Sequence, residues 1–374
     1  MTRAFQEQAH GGRLAWGLGD VLDLSVNVNP YGPPPELLAH LREVPFREYP
    51  DPTSRLMREQ LAHRFGETPE HFLIGNGANE LLWAAARACL APRSDARRSV
   101  FTCFEPCYSE FARAASATLA QAAPLAFTPE SYGLLSEDSL LAHIDASQTN
   151  LVYLCNPNSP TGAYIEPELI EGLLAKRPDL IVVLDESFLS LSHHHAAASR
   201  IYPPQVLRIV SLTKDFALAG LRIGYARGAP ALIARLQAEI PTWSVNALAQ
   251  AAGLWCLQHE NFLTHSRTLM LADARALREA LLQRQLGPGP LLASSSTIFM
   301  MVAIPEASAR AQKLLLEQRI LVRSCASYGY PGYWRIAARP AVEREQFLRA
   351  LDLVLEPSAR PKNLIEPHLR SRDL

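Results

Sequence analysis

Short apolar runs alternate with helical patterns through the central part of the chain. The runs 150–155 (NLVYLC), 180–184 (LIVVL) and 206–210 (VLRIV) have the length and composition of buried strands. Residues 167–176, between the first two runs, have helical character. Because strands and helices alternate, the pattern predicts an α/β fold built on a mostly parallel sheet.

A polar residue follows each of these strands. Asn156, Asp185 and Lys214 are separated by 29 positions in both steps (185 − 156 and 214 − 185), about one strand and one helix per step. Parallel strands present their carboxyl ends along one edge, where open α/β sheets bind ligands. The spacing therefore predicts that these three side chains face one crevice.

A strand, a glycine turn and the start of a helix are predicted upstream, at 71–74, 75–78 and 80–90. Exposed amides at such a helix start favour a phosphate, and the glycines allow close approach of the backbone. The turn is not followed by GK[ST] and lacks the third glycine of a dinucleotide fingerprint. A P-loop and a dinucleotide site are therefore disfavoured.

The C-terminal third is predicted to form a smaller α+β unit. A single helix over 247–284 ends at a Gly-Pro break, and strands at 295–302 and 320–322 and a helix at 342–355 follow. A chain of 374 residues also exceeds one ordinary core. We therefore expect an N-terminal arm that packs with the small domain, a large cofactor-binding domain and a small C-terminal domain, with the bounds 1–35, 36–260 and 261–374.

Composition narrows the class of protein. The 36 basic residues balance 37 acidic ones, and no charge run, signal peptide or long apolar segment is present. We expect a cytoplasmic protein with a small-molecule partner, not nucleic acid or a membrane. Cys103 and Cys107 lie four apart but without metal-like spacing, and the run His193 to His195 is expected to be a solvated loop, so no metal site is predicted.

Lys214 is one of four lysines in the chain, and it follows two hydroxyl residues and precedes Arg222 by eight positions. Such an amine can form a Schiff base with an aldehyde cofactor; the alternative is a surface lysine in a strand-to-helix loop. Together with Asn156, Asp185 and the predicted phosphate-binding turn, Lys214 predicts a pyridoxal phosphate site. Asp185 would keep the pyridine nitrogen protonated, and Asn156 would donate to the phenolic oxygen. The cofactor phosphate would be bound by Ser211, Thr213, Arg222 and the turn formed by Gly77, Ala78 and Asn79.

Several motifs together resemble the fold-type I, class I and II aminotransferases over essentially the whole chain. They are EYPDPTSRLMREQLA, GNGANE, CNPNSPTG, LDESF, SLTKDFALAGLRIGY and WRIAAR. The resemblance implies that Tyr108 stacks on the cofactor ring and that Tyr49 reaches the cofactor phosphate of a neighbouring subunit. A homodimer with shared active sites is expected on that basis.

Within the family, the chain is most similar to threonine-phosphate decarboxylases of cobalamin synthesis and to histidinol-phosphate aminotransferases. The opening HGG (His10, Gly11 and Gly12), Phe188 where most aminotransferases carry a tyrosine, and WSVNALAQAAG at Trp243 resemble the decarboxylases. In those enzymes the histidine segment helps to bind the substrate.

The resemblance also supplies two substrate ligands. It implies that Arg335 grips the substrate carboxylate and that Arg323 binds the substrate phosphate, although these two and Arg339 could be surface arginines in so arginine-rich a chain. The expected reaction is decarboxylation of L-threonine O-3-phosphate to (R)-1-amino-2-propanol phosphate. The alternative is amino transfer of the histidinol-phosphate type, and the orientation of the carboxylate decides between them. A binding protein without turnover is a third class, against which Lys214, Asp185 and Asn156 argue.

Overall fold

The computed structural model describes residues 11–17, 19–90, 98–128, 131, 136–286, 295–304 and 308–355. Its strands are β1 (Leu22–Asp23), β2 (Phe72–Gly75), β3 (Val100–Glu105), β4 (Gln121–Ala122), β5 (Leu125–Ala126), β6 (Leu151–Cys155), β7 (Ile181–Asp185), β8 (Val206–Ser211), β9 (Gly224–Arg227), β10 (Phe299–Ala303), β11 (Ile320–Leu321), β12 (Arg323–Ser324) and β13 (Tyr333–Ala337).

Its α-helices are α1 (Pro35–Arg42), α2 (Arg55–Phe65), α3 (Gly77–Cys89), α4 (Glu110–Ser116), α5 (Glu137–Ser147), α6 (Pro167–Lys176), α7 (Pro230–Gln237), α8 (Ala247–Gln258), α9 (Glu260–Gln283), α10 (Ser308–Glu317) and α11 (Ala341–Leu355). Helix α6 begins with proline at its first position, where the missing N–H costs no hydrogen bond, and it matches the predicted bounds.

The large sheet has the strand order β2, β9, β8, β7, β6, β3, β4, with β5 also paired to β3. The pairs from β4 to β8 are parallel, whereas β9 runs antiparallel to both of its neighbours. Strand β6 is buried at every position, which explains its unbroken apolar sequence. The predicted α/β class with a mostly parallel sheet is confirmed.

The register of the parallel strands aligns their carboxyl ends. Cys155 of β6 pairs with Asp185 of β7, and Asp185 pairs with Ile209 of β8. The backbone N–H of Asn156 also donates to the Asp185 carbonyl, at 2.8 Å. The loops after the three strands therefore begin at nearly the same height, as the regular spacing predicted.

A second, smaller sheet follows in the C-terminal part of the chain. Strand β13 lies between β10 and β12 and is antiparallel to both, and β1 from the N-terminal segment pairs with β11. Leu24 packs into the same apolar cluster as Trp334 and Phe347. These contacts support the predicted packing of the N-terminal arm with a small domain, while the exact domain bounds stay a prediction.

The single long helix expected over 247–284 is two helices in the structure. Helix α8 ends at Gln258, and α9 begins at Glu260. His259 between them has φ −122° and ψ 50°, outside the helical region, and its Nδ1 lies 2.8 Å from the Trp255 carbonyl. The apolar pattern continues through this break, so the pattern alone did not mark it.

No helix among the described residues has both the length and the apolar character needed to cross a membrane. The six cysteines are free, and all but Cys89 are buried. Among the described residues, no group of three or more metal-ligating side chains is found. The predicted cytoplasmic location stays a prediction.

Candidate active site

A cavity of about 240 Å³ lies at the carboxyl edge of the large sheet, next to the small sheet and the N-terminal segment. The residues predicted for the site that line it are Gly11, Ala78, Asn79, Tyr108, Asp185, Phe188, Ser211, Thr213, Lys214, Arg222, Arg323 and Arg335. The structure thus brings together most of the predicted site, contributed by segments more than 300 residues apart in the chain.

Lys214 lies on the cavity wall three residues after the end of β8. Its Nζ is 4.7 Å from the centre of the Phe188 ring and makes no ion pair with the described residues. Burial lowers the pKa of Lys214, and the charge of Asp185 partly opposes that effect. An amine with a lowered pKa is more often neutral and therefore nucleophilic, as bonding to an aldehyde requires.

Asp185 ends β7 with its carboxylate almost fully buried. Oδ1 accepts the backbone N–H of Ser187 at 3.0 Å, and Oδ2 accepts the Tyr153 hydroxyl at 3.2 Å. No arginine or lysine of the described residues lies within ion-pair distance of this carboxylate. A buried carboxylate without a cationic partner is costly, and a protonated ring nitrogen would supply one.

Asn156 is not among the residues that line the cavity. Its Nδ2 donates to the Ile165 carbonyl and its Oδ1 accepts the Ile165 N–H, both at 2.8 Å. The amide thus closes the loop that follows β6, a use that the motif alone did not reveal. The side chain of this loop that faces the cavity is Ser159, whose Oγ accepts from Arg335 at 3.0 Å. The Nδ2 group has a second hydrogen to donate, so the bond from Asn156 to the cofactor stays a prediction.

The start of α3 has the features of a phosphate site. Gly77 has φ +78°, and a Cβ placed on it would lie 2.5 Å from Nη2 of Arg222. Among the described residues, the side chain of Asn76, which precedes the helix, makes no capping hydrogen bond to the first amides of α3. The Ser211 and Thr213 hydroxyls lie 2.7 Å apart on the same wall. Helix amides, hydroxyls and a guanidinium converge here, which is the donor set that a phosphate needs.

Two arginines line the opposite side of the cavity. Arg323 of β12 and Arg335 of β13 are register partners on neighbouring strands, and both are buried. Arg335 donates to Ser159 and to the Ser25 carbonyl, while Nη2 of Arg323 donates to Ser327 Oγ at 2.6 Å. Like charges directly opposite each other repel, so this pair favours an anionic ligand.

Asn27 is a site residue that the sequence reasoning missed. It lines the cavity and is 5% exposed, and neither Nδ2 nor Oδ1 has a hydrogen-bond partner among the described residues. A buried amide without partners is destabilising, so both atoms are available to a ligand. The signal was present in LSVNVN, where polar residues alternate with valines; in the structure Ser25, Asn27 and Asn29 are buried, whereas the two valines are only half-buried.

Two predicted site residues, Tyr49 and His10, lie away from the cavity or beyond the described part. Tyr49 is 81% exposed and stacks on Trp243 with ring centres 4.9 Å apart. His10 lies outside the described residues. Arg339 is buried rather than on the surface, and it donates to the carbonyls of Asp23 and Val26 in the N-terminal segment.

The histidine run is a partly solvated loop, as expected. His193 and His195 are exposed, whereas His194 stacks on Tyr164 with ring centres 3.7 Å apart. Burial lowers the pKa of His194. Nothing in this geometry links the run to the cavity.

The site as a whole fits pyridoxal phosphate. One cavity is lined by a lysine with a lowered pKa, by a buried carboxylate that has no cationic partner among the described residues, and by a set of phosphate-binding groups. Tyr108 lies on the same wall and can face an aromatic ring. These are the groups that a protein must supply, because the cofactor carries the reactive aldehyde and ring itself.

Comparison with known proteins agrees with this geometry. Residues 19–354 match the family model described as aminotransferase class I and II. A histidinol-phosphate aminotransferase of Symbiobacterium thermophilum is 31% identical over 346 residues, which cover 91% of this chain and 92% of the relative. Further curated relatives at 28–30% identity are also named histidinol-phosphate aminotransferases.

Solved structures show the same fold. A histidinol-phosphate aminotransferase from Sinorhizobium meliloti, in complex with pyridoxal-5'-phosphate, matches with a TM-score of 0.79 and 22% identity, covering 95% of this chain and 97% of that one. An L-threonine-O-3-phosphate decarboxylase from Porphyromonas gingivalis matches with a TM-score of 0.74 and 24% identity, covering 89% and 99%.

Proposed function

The chain belongs to the class I and II aminotransferase family and depends on pyridoxal phosphate, and from this premise we propose that it transfers the amino group of a phosphorylated amino compound. The histidinol-phosphate type of reaction is supported by the names of the curated relatives, which match over about nine tenths of the chain. This is the alternative of the sequence-based prediction, and the comparisons support it better than decarboxylation.

The observation that carries the phosphorylated substrate of this proposal is the pair of buried arginines, Arg323 and Arg335, on the cavity wall. A phosphate monoester carries about −1.5 to −2 charges near neutral pH, enough to neutralise most of this pair. Planar guanidinium groups also bind phosphate and carboxylate oxygens in pairs of hydrogen bonds. In the second half of an amino transfer, the same arginines can hold the two carboxylates of 2-oxoglutarate.

When bound, pyridoxal phosphate supplies an aldehyde and a ring that accepts the electron pair of the bond broken at the substrate α-carbon. With the cofactor bound, Asp185 would accept a hydrogen bond from the ring nitrogen and keep its proton in place. Lys214 would hold the cofactor through its Nζ, and once the substrate amine has displaced it, the freed Nζ would accept the proton from the α-carbon. Arg335 and Asn27 would bind and orient the substrate in the cavity.

Decarboxylation of threonine phosphate is the second candidate. Threonine phosphate carries a carboxylate and a phosphate at once, one for each guanidinium group, whereas histidinol phosphate has a single anionic group. In this reaction the bond from the α-carbon to the carboxylate breaks, carbon dioxide leaves, and a proton is added at the α-carbon. The presence of Phe188 beside Lys214 and of Gly11 on the cavity wall agrees with the sequence features that resemble the decarboxylases.

A homodimer with shared active sites is part of the proposal. Tyr49 and Trp243 form an exposed aromatic stack, and the nearby Phe46 is 77% exposed. Exposed aromatic groups of this kind mark protein interfaces. Sedimentation should give twice the mass of the chain, and Tyr49→Ala should weaken cofactor binding if this side chain reaches the phosphate of the other subunit.

An assay with two substrates separates the candidates. The cofactor-loaded protein is given histidinol phosphate with 2-oxoglutarate, and glutamate is measured. In parallel it is given threonine phosphate without a keto acid, and carbon dioxide is measured. Glutamate formation supports amino transfer, carbon dioxide release supports decarboxylation, and the absence of both would refute a phosphorylated amino substrate.

A further inference from the structure

A second cavity lies behind the lysine that faces the candidate active site. It has a volume of about 50 Å³, enough for about three water molecules. Lys214 lines the first cavity, and the next residue, Asp215, lines the second. Arg64 and Glu260, an ion pair with 35% and 44% exposed side chains, form the outer part of its wall. The residue that follows the lysine thus lines a small cavity whose wall combines charged groups with apolar side chains such as Phe65 and Leu257.

Within the described part of the chain, one side-chain hydrogen bond holds the Asp215 carboxylate in this cavity. Its Oδ1 accepts the Ser190 hydroxyl at 2.7 Å, and the residue is 2% exposed. No arginine or lysine of the described part of the chain lies within ion-pair distance of the carboxylate. A carboxylate this deeply buried is expected to have a function or a compensating partner.

The backbone on both sides of this carboxylate is fixed independently of it. The Asn29 N–H donates to the Lys214 carbonyl at 3.0 Å, and Nδ2 of Asn29 donates to the Asp215 carbonyl at 2.7 Å. The same amide donates to Ser266 Oγ on α9 at 2.9 Å. A change confined to the Asp215 side chain therefore leaves the lysine backbone in place.

We propose that Asp215, a buried carboxylate next to Lys214 in the chain, is a positioning residue that sets how readily Lys214 gains and loses its proton. The proposal rests on the role of Lys214 in the proposed function. It concerns the lysine itself, so it can be tested without turnover.

The electrostatics give the direction of the effect. Ionised Asp215 raises the pKa of Lys214, second only to Asp185 among the neighbouring charges. Burial raises the pKa of Asp215 itself to about 6, while the Ser190 hydroxyl lowers it. Above that pH the carboxylate is charged and supports a proton on the lysine; below it this support is lost. The other charged or titratable groups around this cavity are Arg64 of α2, Cys256 of α8, Glu260 and Arg267 of α9, Tyr225 and Arg227 of β9, and the pair Glu186 and Arg208.

The test uses the cofactor-free protein and cyanate, which reacts only with neutral amines. The rate of carbamylation of Lys214 is measured against pH by mass spectrometry. Asp215→Asn should shift the reactive form to lower pH by about one unit, because an opposite charge next to the amine has been removed. Glu260→Gln, which removes the same charge near the surface end of the cavity, is the matched control and should leave the profile unchanged.

Ser190→Ala provides a second variant. It removes the hydrogen bond that favours ionised Asp215, so the part of the profile that follows Asp215 should move to higher pH. If both Asp215→Asn and Ser190→Ala reproduce the profile of the unchanged protein, the proposal is overturned. A failure of the proposed function would give a different result. If Lys214 does not bind the cofactor, Lys214→Ala would retain the visible absorbance of bound cofactor.

Discussion

Replacing Gly77 by alanine tests the phosphate cradle. Gly77 begins α3 with φ +78°, and an added Cβ would lie 2.5 Å from Nη2 and 3.0 Å from Cζ of Arg222. Ordinary contact needs 3.4 Å or more, so the guanidinium must move by about 1 Å. The substitution therefore changes the cradle at the atom that is expected to bind the cofactor phosphate.

Two effects of this substitution can be estimated separately. An L-residue at positive φ is strained by about 1–2 kcal/mol, which lowers the free energy of unfolding. Losing one charge-assisted hydrogen bond costs a further 1.5–3 kcal/mol of binding, or about 10- to 100-fold in the dissociation constant of pyridoxal phosphate. Gly66→Ala is the matched control, because Gly66 has φ +66° at the end of α2 and a Cβ there meets nothing within 4 Å.

Urea unfolding and cofactor titration of the cofactor-free variants measure the two effects. Both alanine variants should lose similar stability, but only Gly77→Ala should lose affinity for pyridoxal phosphate. Its affinity for pyridoxal, which lacks the phosphate, should not change. Equal affinity of Gly77→Ala and Gly66→Ala for pyridoxal phosphate would refute the cradle, and an equal loss for pyridoxal would show a general distortion instead.

Four further variants address the other parts of the site. Lys214→Ala should abolish both the visible absorbance of the bound cofactor and turnover, and residual turnover near that of the unchanged protein would rule out its role. Arg335→Gln should raise KM for the phosphorylated substrate by about 10- to 100-fold, since a charge-assisted hydrogen bond is lost; an unchanged KM in steady-state assays would exclude it as a ligand. Asn27→Leu should keep or raise the free energy of unfolding, because two unsatisfied polar atoms disappear, while KM rises; a loss of stability with KM unchanged would point to a structural role. Asp215→Asn should become more stable than the unchanged protein as pH rises from about 4 to about 6. Folding raises the pKa of this carboxyl group from 3.8 to about 6, so its ionisation costs the folded state up to about 3 kcal/mol. Urea unfolding at several pH values measures this, and a pH-independent difference in the free energy of unfolding between the two proteins would contradict it.

The strand-end residues were predictable because parallel strands impose a common edge. Asp185 and Lys214 lie where the spacing predicted, since β7 and β8 are neighbours in register. Asn156 shows the limit of that reasoning. It lies at the strand end as the spacing predicted, but spacing does not reveal hydrogen-bond partners, and both Nδ2 and Oδ1 of its amide bond to the Ile165 backbone.

Contacts between distant segments were not accessible to local patterns. Asn27 reaches the cavity through the pairing of β1 with β11, almost 300 residues later in the chain. Asp215 likewise receives hydrogen bonds from residues of separate segments: Asn29 donates to its carbonyl and Ser190 to its carboxylate. The resemblance to a family supplied Arg323 and Arg335, whereas spacing alone left them among many surface arginines.

The most direct test of the account measures the fate of the amino group. The cofactor-loaded protein is incubated with histidinol phosphate and 2-oxoglutarate, and glutamate is determined, with Lys214→Ala as the control. We predict glutamate formation that depends on both substrates and on Lys214. No glutamate, together with carbon dioxide released from threonine phosphate in the absence of a keto acid, would contradict amino transfer and establish the decarboxylase instead.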